Sequence, residues 1–177
     1  MPKFIYAGIG SRKTPLPILY VMQDFAKAVG SFSIMRSGGA EGADSAFEFG
    51  ATLGNGLKEI FLPWKGFNDR TDAMLHEPTQ NAMEIAEHYH PRWRYISQGA
   101  KKLHGRNTHQ VLGADCETPV DMIVCWTQGA KGGGGTGQAL RIAQDRGIEV
   151  WDLADPELEA KAREVIADGG IELRPDG

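Results

Sequence analysis

The chain has 177 residues, of which 41% are hydrophobic and 24% are charged, as in a globular protein of one domain. Its formal net charge of −4 argues against a broad basic surface for nucleic acid, and the short basic stretches are Arg92–Arg94 and Lys101–Lys102. The two cysteines, Cys116 and Cys125, form no C-x-x-C pair, and no apolar run has the length of a membrane span. We therefore expect a cytoplasmic, reduced protein that has no membrane partner and does not have nucleic acid as its partner.

The first half of the chain alternates short apolar segments with helical patterns. Phe4–Ala7, Ser33–Arg36 and Lys58–Leu62 are predicted strands. A helix is predicted on Leu19, Met22, Ala26 and Val29, and another on Ala43, Phe47 and Ala51. The polar stretch from Trp64 to Pro78 is long for a loop of a compact domain, which is typical of a functional flap.

The second half of the chain continues the same alternation. Helical patterns occur at Ala82–Ala86 and Ile96–Val111, the most apolar strand candidate is Val120–Trp126, a helix around Leu140–Gln144 stops at Gly147, and a fifth strand is predicted at Ile148–Trp151. A last helix runs from Pro156 to about Ile166, and the tail from Asp168 to Gly177 is expected to be frayed. We therefore predict one domain over residues 1–167 with a C-terminal tail over residues 168–177.

Strands that alternate with helices predict an α/β fold, a single Rossmann-like domain with a mostly parallel sheet flanked by helices on both faces. Ligands of such sheets bind at the C-terminal edge of the strands. Three glycine-rich loops follow predicted strands, so all three belong at that edge. Their convergence predicts a ligand site more strongly than any single loop does.

Backbone amides of glycine-rich loops before helices bind anions such as phosphate, and hydroxyl and arginine side chains add donors. The candidate ligand-binding residues in these loops are Gly8, Gly10, Ser11 and Arg12, then Ser37, Gly38, Gly39, Ala40 and Asp44, then Gly133, Gly134, Gly135 and Thr136. Arg36 is a further candidate cation. The alternative is that the glycines only make tight turns between strands and helices.

Arg106 and Asn107 belong to the predicted helix that carries Val111. Asn107 lies on the apolar face of that helix, where a polar side chain needs a partner. That partner is either a loop carbonyl or a ligand, to which Arg106 and Asn107 would donate together. The aromatic candidates for stacking on a base are Trp64, Phe67, Trp93 and Tyr95, and the alternative is that they pack in the core or in a lid.

Two other patterns favour other ligands and are rejected. Gly132, Gly134 and Gly137 match G-x-G-x-x-G, with Asp152 and Asp155 downstream, but the match falls late in the chain and inside a glycine run. The five histidines lack the spacing of a metal site and are expected at the solvated surface. We predict no metal and no cofactor besides the nucleotide-derived ligand.

The glycine loops together resemble the SLOG superfamily, which includes the DprA/Smf, YpsA-like and LOG phosphoribohydrolase proteins. The resemblance rests on Ala7–Arg12, Ser37–Asp44, Gly105–Asn107 and Gly133–Ala139. It implies a Rossmann-like fold, a site for nucleotides or nucleotide-derived molecules, and frequent dimerisation.

The same resemblance implies two further activities. LOG enzymes hydrolyse the bond between a base and ribose 5′-phosphate with a glutamate, whose position here holds Ala139. Hydrolysis of nucleoside monophosphates would then need another carboxylate, for which Asp44, Glu48 and Asp115 are the candidates. DprA proteins bind single-stranded DNA, which is the third hypothesis after ligand binding and hydrolysis.

Overall fold

A computed structural model describes residues 3–176, so Met1, Pro2 and Gly177, which the predicted domain and tail include, lie outside the described residues. The strands are β1 (Phe4–Gly8), β2 (Ser33–Ser37), β3 (Leu57–Ile60), β4 (Met122–Cys125) and β5 (Glu149–Asp152). The helices are α1 (Leu16–Val29), α2 (Ala43–Leu53), α3 (Gln80–Tyr89), α4 (Gln98–Leu112), α5 (Gly137–Arg146) and α6 (Pro156–Asp168). None of the helices within residues 3–176 combines the length and the apolar character that crossing a bilayer requires.

The five strands form one sheet in the order β3-β2-β1-β4-β5, and every neighbouring pair is parallel. The chain forms the central strand β1 first and then continues outward through β2 to the edge strand β3. It then crosses back to β4, on the other side of β1. This reversal of strand order is a switch point, beside which α/β sheets bind their ligands. The predicted Rossmann-like fold is confirmed, with a sheet that is parallel throughout.

Alternate residues of the strands contribute to two separate hydrophobic cores, because successive side chains point to opposite faces of a sheet. Tyr6 packs with Phe25 and Phe47 in the core beneath α1, α2 and α6. Ala7 belongs to the second core, beneath α3, α4 and α5, together with Leu112 and Ile142. Both faces of the sheet are therefore covered, as predicted.

Gly8 shows that one loop glycine serves packing. A Cβ at this position would lie 2.4 Å from the ring of Phe47, which is closer than side-chain atoms approach each other. The glycine therefore lets α2 pack directly against the end of β1. This contact places the N-terminus of α2 next to the loop that follows β1.

The tail after α6 folds back onto the domain, so the prediction that it is frayed is wrong for the residues that make this turn. Gly169 and Gly170 both have positive φ, and the Gly170 amide donates to the carbonyl of Val165 at 2.9 Å. Leu173 then packs against the first core, and the Arg174 guanidinium lies 5.2 Å from the ring centre of Phe32. The segment carries no helical or strand periodicity, which is why the sequence pattern did not indicate it.

Candidate functional site

A cavity of about 370 Å³ opens at the C-terminal edge of the sheet, between the loops after β1, β2 and β4 on one side and α4 on the other. Its volume is within the range of small-molecule sites. The predicted residues that line it are Gly10, Ser11, Arg12, Ala40, Asp44, Arg106, Asn107, Gly135 and Thr136. All three loops therefore meet at one cavity, as their positions after parallel strands predicted.

The other predicted loop residues lie near the cavity without forming its wall. Ser37 at the end of β2 and Gly39 in the loop that follows are both buried. The Gly38 carbonyl accepts a hydrogen bond from Arg106 Nη1 at 2.6 Å. Gly133 and Gly134 are exposed on the loop that follows β4, so their amides are accessible from solvent. These residues shape the loops, and the cavity wall comes from their neighbours.

Asp44 and Arg106 form the charged part of the inner wall, and both are buried. The Asp44 carboxylate accepts a hydrogen bond from the Ala40 amide at 3.1 Å. Burial raises the pKa of Asp44 to about 6, and the positive charge of Arg106 partly opposes that increase. A carboxyl group whose pKa lies this close to neutrality is a candidate general acid or base.

The loop after β4 is held at two points. The Asn107 amide donates to the carbonyl of Gly135 at 2.9 Å, and its oxygen accepts from Arg106 Nε at 2.9 Å. At the base of the loop the Thr127 hydroxyl accepts from the Gly132 amide and donates to Asp152. Asn107 therefore both makes the loop contact and lines the cavity, and Asp152 supports the loop instead of facing a ribose.

The long loop after β3, here called the flap, contributes to the cavity wall, and its action as a functional lid stays a prediction. Phe67 lines the cavity, and its ring centre lies 5.7 Å from the Arg106 guanidinium. Asn68 Nδ2 donates to the carbonyl of Gly39 at 3.1 Å. Arg70 Nη1 lies 2.8 and 2.9 Å from the two carboxylate oxygens of Glu48, which fastens the flap to α2.

These contacts separate the three candidate catalytic carboxylates. Asp44 lines the cavity, whereas Glu48 is engaged by Arg70. Asp115 lies in the exposed turn between α4 and β4, at the N-terminal edge of the sheet, where it accepts hydrogen bonds from Glu117 and Thr118. The structure does not bring Asp115 to the cavity. Asp115 lies after the end of α4 and before the start of β4, at the opposite edge of the sheet from the loops that follow the strands.

Arg36 also lies away from the cavity. Its side chain is 3% exposed. Its Nε donates to the Glu59 carboxylate at 2.9 Å, and its Nη1 donates to the Thr118 carbonyl at 2.6 Å. The hypothesis that Arg36 adds charge to a phosphate site is therefore wrong, and its guanidinium joins β2, β3 and the turn before β4.

Replacing Arg36 by Met is expected to lower the free energy of unfolding by about 2 kcal/mol, because two hydrogen bonds of a buried charged group are lost. If the protein binds a nucleotide-derived ligand as the sequence predicts, its affinity for that ligand is expected to stay within about twofold of wild type, since Arg36 lies away from the cavity. Denaturant unfolding and calorimetric titration measure the two quantities, with the neighbouring exposed Lys58→Met as control. A loss of affinity without a loss of stability would contradict this assignment.

Two polar wall residues of α4 were not predicted from the sequence. His104 and Gln110 both line the cavity from α4. Burial lowers the pKa of His104 to about 4, with contributions from the neighbouring charges of His90 and Arg141. His104 is half-buried and His109 is buried, so the expectation of solvated histidines fails for these two. Within residues 3–176, no group of three or more His, Cys, Asp or Glu is placed to hold a metal ion.

A basic and aromatic patch adjoins the mouth of the cavity. Arg92 and Arg94 lie 6.0 and 5.5 Å from the ring centre of Tyr95, and Lys101 lies 5.6 Å from that of Trp93. Tyr95 is 72% exposed. Lys101 of this patch directly follows Ala100, which is part of the cavity wall.

The fold and the cavity define this chain as a Rossmann-like α/β protein with a ligand-sized site at the C-terminal edge of its sheet. No family model matches the sequence, and no curated protein sequence matches it significantly. The fold is similar to the X-ray structure of DNA processing protein A (DprA) from Streptococcus pneumoniae, with a TM-score of 0.50 and 12% sequence identity. The similarity covers 98% of this chain and 56% of that chain. The likeness concerns the fold, and it agrees with the fold that the SLOG resemblance implies.

Proposed function

We propose that this protein binds a nucleotide or another nucleotide-derived small molecule in the cavity at the edge of the sheet. The observation that carries this proposal is the meeting of three glycine-rich loops with buried Arg106 and exposed Arg12 around one cavity. Loop amides and the exposed Arg12 would stabilise phosphate oxygens, and each charge-assisted hydrogen bond contributes about 1.5–3 kcal/mol. Three such bonds are comparable to the roughly 8 kcal/mol of a micromolar complex.

A thermal-shift panel tests the proposal with nucleoside mono-, di- and triphosphates, cyclic nucleotides, ADP-ribose and ribose 5-phosphate. A ligand at 100 times its Kd is expected to stabilise the fold by about 2.7 kcal/mol. For a domain of this size that corresponds to an increase in melting temperature of roughly 5–11 °C. Unphosphorylated nucleosides serve as the control, and a panel without any response would overturn the proposal.

Hydrolysis of the bond between base and ribose in nucleoside 5′-monophosphates is a second candidate function. Asp44 favours it, because a buried carboxyl group with a pKa of about 6 faces the cavity. Such a group can stabilise a cationic sugar or activate water, as carboxylates do in glycoside hydrolysis. Incubation with nucleoside monophosphates followed by chromatography for free base tests this candidate. Release that persists in Asp44→Asn, or no release at high protein concentration, would remove it.

Binding of single-stranded DNA is a third candidate, which the basic and aromatic patch at Arg92–Tyr95 favours. Aromatic rings stack on bases and cations neutralise phosphates, so binding there should weaken steeply with salt. Electrophoretic shifts at about 50 mM salt, where screening is weak, measure it, with the double variant Arg92→Glu and Arg94→Glu as comparison. We expect the variant to flatten the salt dependence, and an absence of any shift for wild type would exclude DNA.

We also propose that the protein forms homodimers, as the SLOG resemblance implies. The outer faces of α1 and α2 expose Leu16, Tyr20, Phe49 and Leu53. Contiguous exposed apolar residues mark association surfaces, and α1 and α2 pack against each other. Sedimentation of wild type and of the double variant Tyr20→Glu and Phe49→Glu tests the proposal, and a monomeric wild type would overturn it.

A further inference from the structure

Gln110 is a buried side chain at the inner end of the cavity. It is 1% exposed and belongs to the cavity wall, yet its amide nitrogen has no hydrogen-bond partner. Buried donors are almost always paired, since an unpaired one destabilises the fold. Because this side chain belongs to the cavity wall and its buried donor is unpaired, we expect the missing acceptor to come from the ligand.

His104, six residues before Gln110 on α4, also has a buried polar atom without a hydrogen-bond partner. Residues 104, 107 and 110 are spaced by three, so His104, Asn107 and Gln110 share the face of α4 that lines the cavity. The His104 Nδ1 atom is buried and has no partner either. Because burial lowers its pKa to about 4, the imidazole is neutral near pH 7. His104, Asn107 and Gln110 are therefore uncharged polar side chains of the cavity wall, and Arg106 is the charged residue that the same helix contributes to it.

Charge divides the cavity into two parts. The exposed mouth carries Arg12, Lys13 and Glu41, so two cations there face one carboxylate. The inner wall holds Asp44 opposite Arg106, so its charges compensate each other. A phosphate dianion is favoured at the mouth and disfavoured beside the Asp44 carboxylate. The uncharged end of a nucleotide ligand therefore fits the inner part.

We infer that the ligand inserts its nucleobase toward α4 and that the Gln110 carboxamide pairs with the edge of that base and determines base selectivity. The inference rests on the proposed function and specifies the orientation of the ligand in the same site. A carboxamide presents a donor and an acceptor side by side, which matches the adjacent acceptor and donor of a base edge, as in the pairing of Gln with adenine. Gln110 is thus a specificity-determining residue, and the loops at the mouth bind the phosphate.

Calorimetric titrations of wild type and Gln110→Leu with the four ribonucleoside 5′-monophosphates and with ribose 5-phosphate test the inference. Ribose 5-phosphate carries the phosphate and sugar but no base. We expect the variant to bind the preferred mononucleotide at least about tenfold more weakly, which corresponds to one lost hydrogen bond. Its affinity for ribose 5-phosphate should remain unchanged, and its melting temperature without ligand should not fall, because the variant buries no unpaired amide.

Gln110→Met, which keeps the unbranched shape, replaces Gln110→Leu if the latter does not fold. An equal loss for mononucleotide and ribose 5-phosphate would show that Gln110 shapes the cavity without contacting the base, and no loss for either would show that it contacts no ligand. Both outcomes overturn the inference and leave the proposed function standing. A wild-type protein that binds neither the mononucleotides nor ribose 5-phosphate overturns the proposed function and the inference together.

Discussion

Replacing Asp44 by Asn is expected to stabilise the folded protein by about 3 kcal/mol at about pH 8, even though it removes a charged residue from the candidate site. The pKa of Asp44 rises from 3.8 to about 6 on burial, a difference of about 2 pH units at roughly 1.4 kcal/mol each. Asn has the same shape, can still accept the hydrogen bond from Ala40, and carries no charge to desolvate. The Arg106 contribution is already included in the pKa of Asp44.

The destabilisation of the folded protein by Asp44 depends on pH. A carboxyl group with a raised pKa binds its proton more tightly in the folded state than in the unfolded chain. The destabilisation from Asp44 is therefore absent below about pH 4, increases between about pH 4 and 6, and is complete above that window. Wild-type stability should fall through the window as pH rises, and Asp44→Asn should lack that part of the fall.

Thermal unfolding at about pH 4 and about pH 8 measures the effect, and the two proteins should differ only at the higher pH. An increase of about 3 kcal/mol corresponds to roughly 6–12 °C in melting temperature for a domain of this length. The same variant should lose any hydrolysis of nucleoside monophosphates. A variant that is less stable than wild type at about pH 8 would show that attraction to Arg106 outweighs desolvation.

Replacing Gly135 by Val is expected to weaken binding of a nucleoside 5′-monophosphate by about 100-fold, which is about 2.7 kcal/mol. A Cβ atom on Gly135 meets no atom within 4 Å, and the residue does not have the positive φ that would exclude a side chain. The unliganded fold therefore accommodates the substitution. The phosphate, however, must approach the loop amides closely, and the valine side chain occupies that space.

Gly99→Ala is the matched control for this variant, because its added Cβ meets only Ser97 Oγ, at 4.0 Å, and Gly99 lies outside the cavity wall. It should bind as wild type does, and Gly135→Ala should give an intermediate loss. Circular dichroism should show both Gly135 variants folded with melting temperatures near that of wild type. Unchanged affinity in Gly135→Val would place the phosphate at another loop, such as the one that carries Arg12.

The amino-acid sequence by itself determined the alternation of strands and helices and the edge at which the three glycine loops meet. Hydrophobic periodicity is a local property, and parallel strands with crossover helices bring their C-terminal ends to one edge whatever the side chains are. The loop residues Gly10, Arg12 and Gly135 were therefore predictable as neighbours in space. Asn107 was also predictable as a residue with a loop or ligand partner, because a polar residue on an apolar helix face requires one.

Only the tertiary structure decided which polar residues face the ligand cavity. The sequence offered Arg36 and Asp115 as candidate site residues besides Asp44. In the structure Arg36 contacts Glu59 and the Thr118 carbonyl, and Asp115 lies at the N-terminal edge of the sheet. Gln110 and His104 carry no motif, and their place in the cavity wall follows from the packing of α4. Such placements depend on contacts between segments far apart in the chain, and neither periodicity nor spacing records which side chain meets which across a sheet.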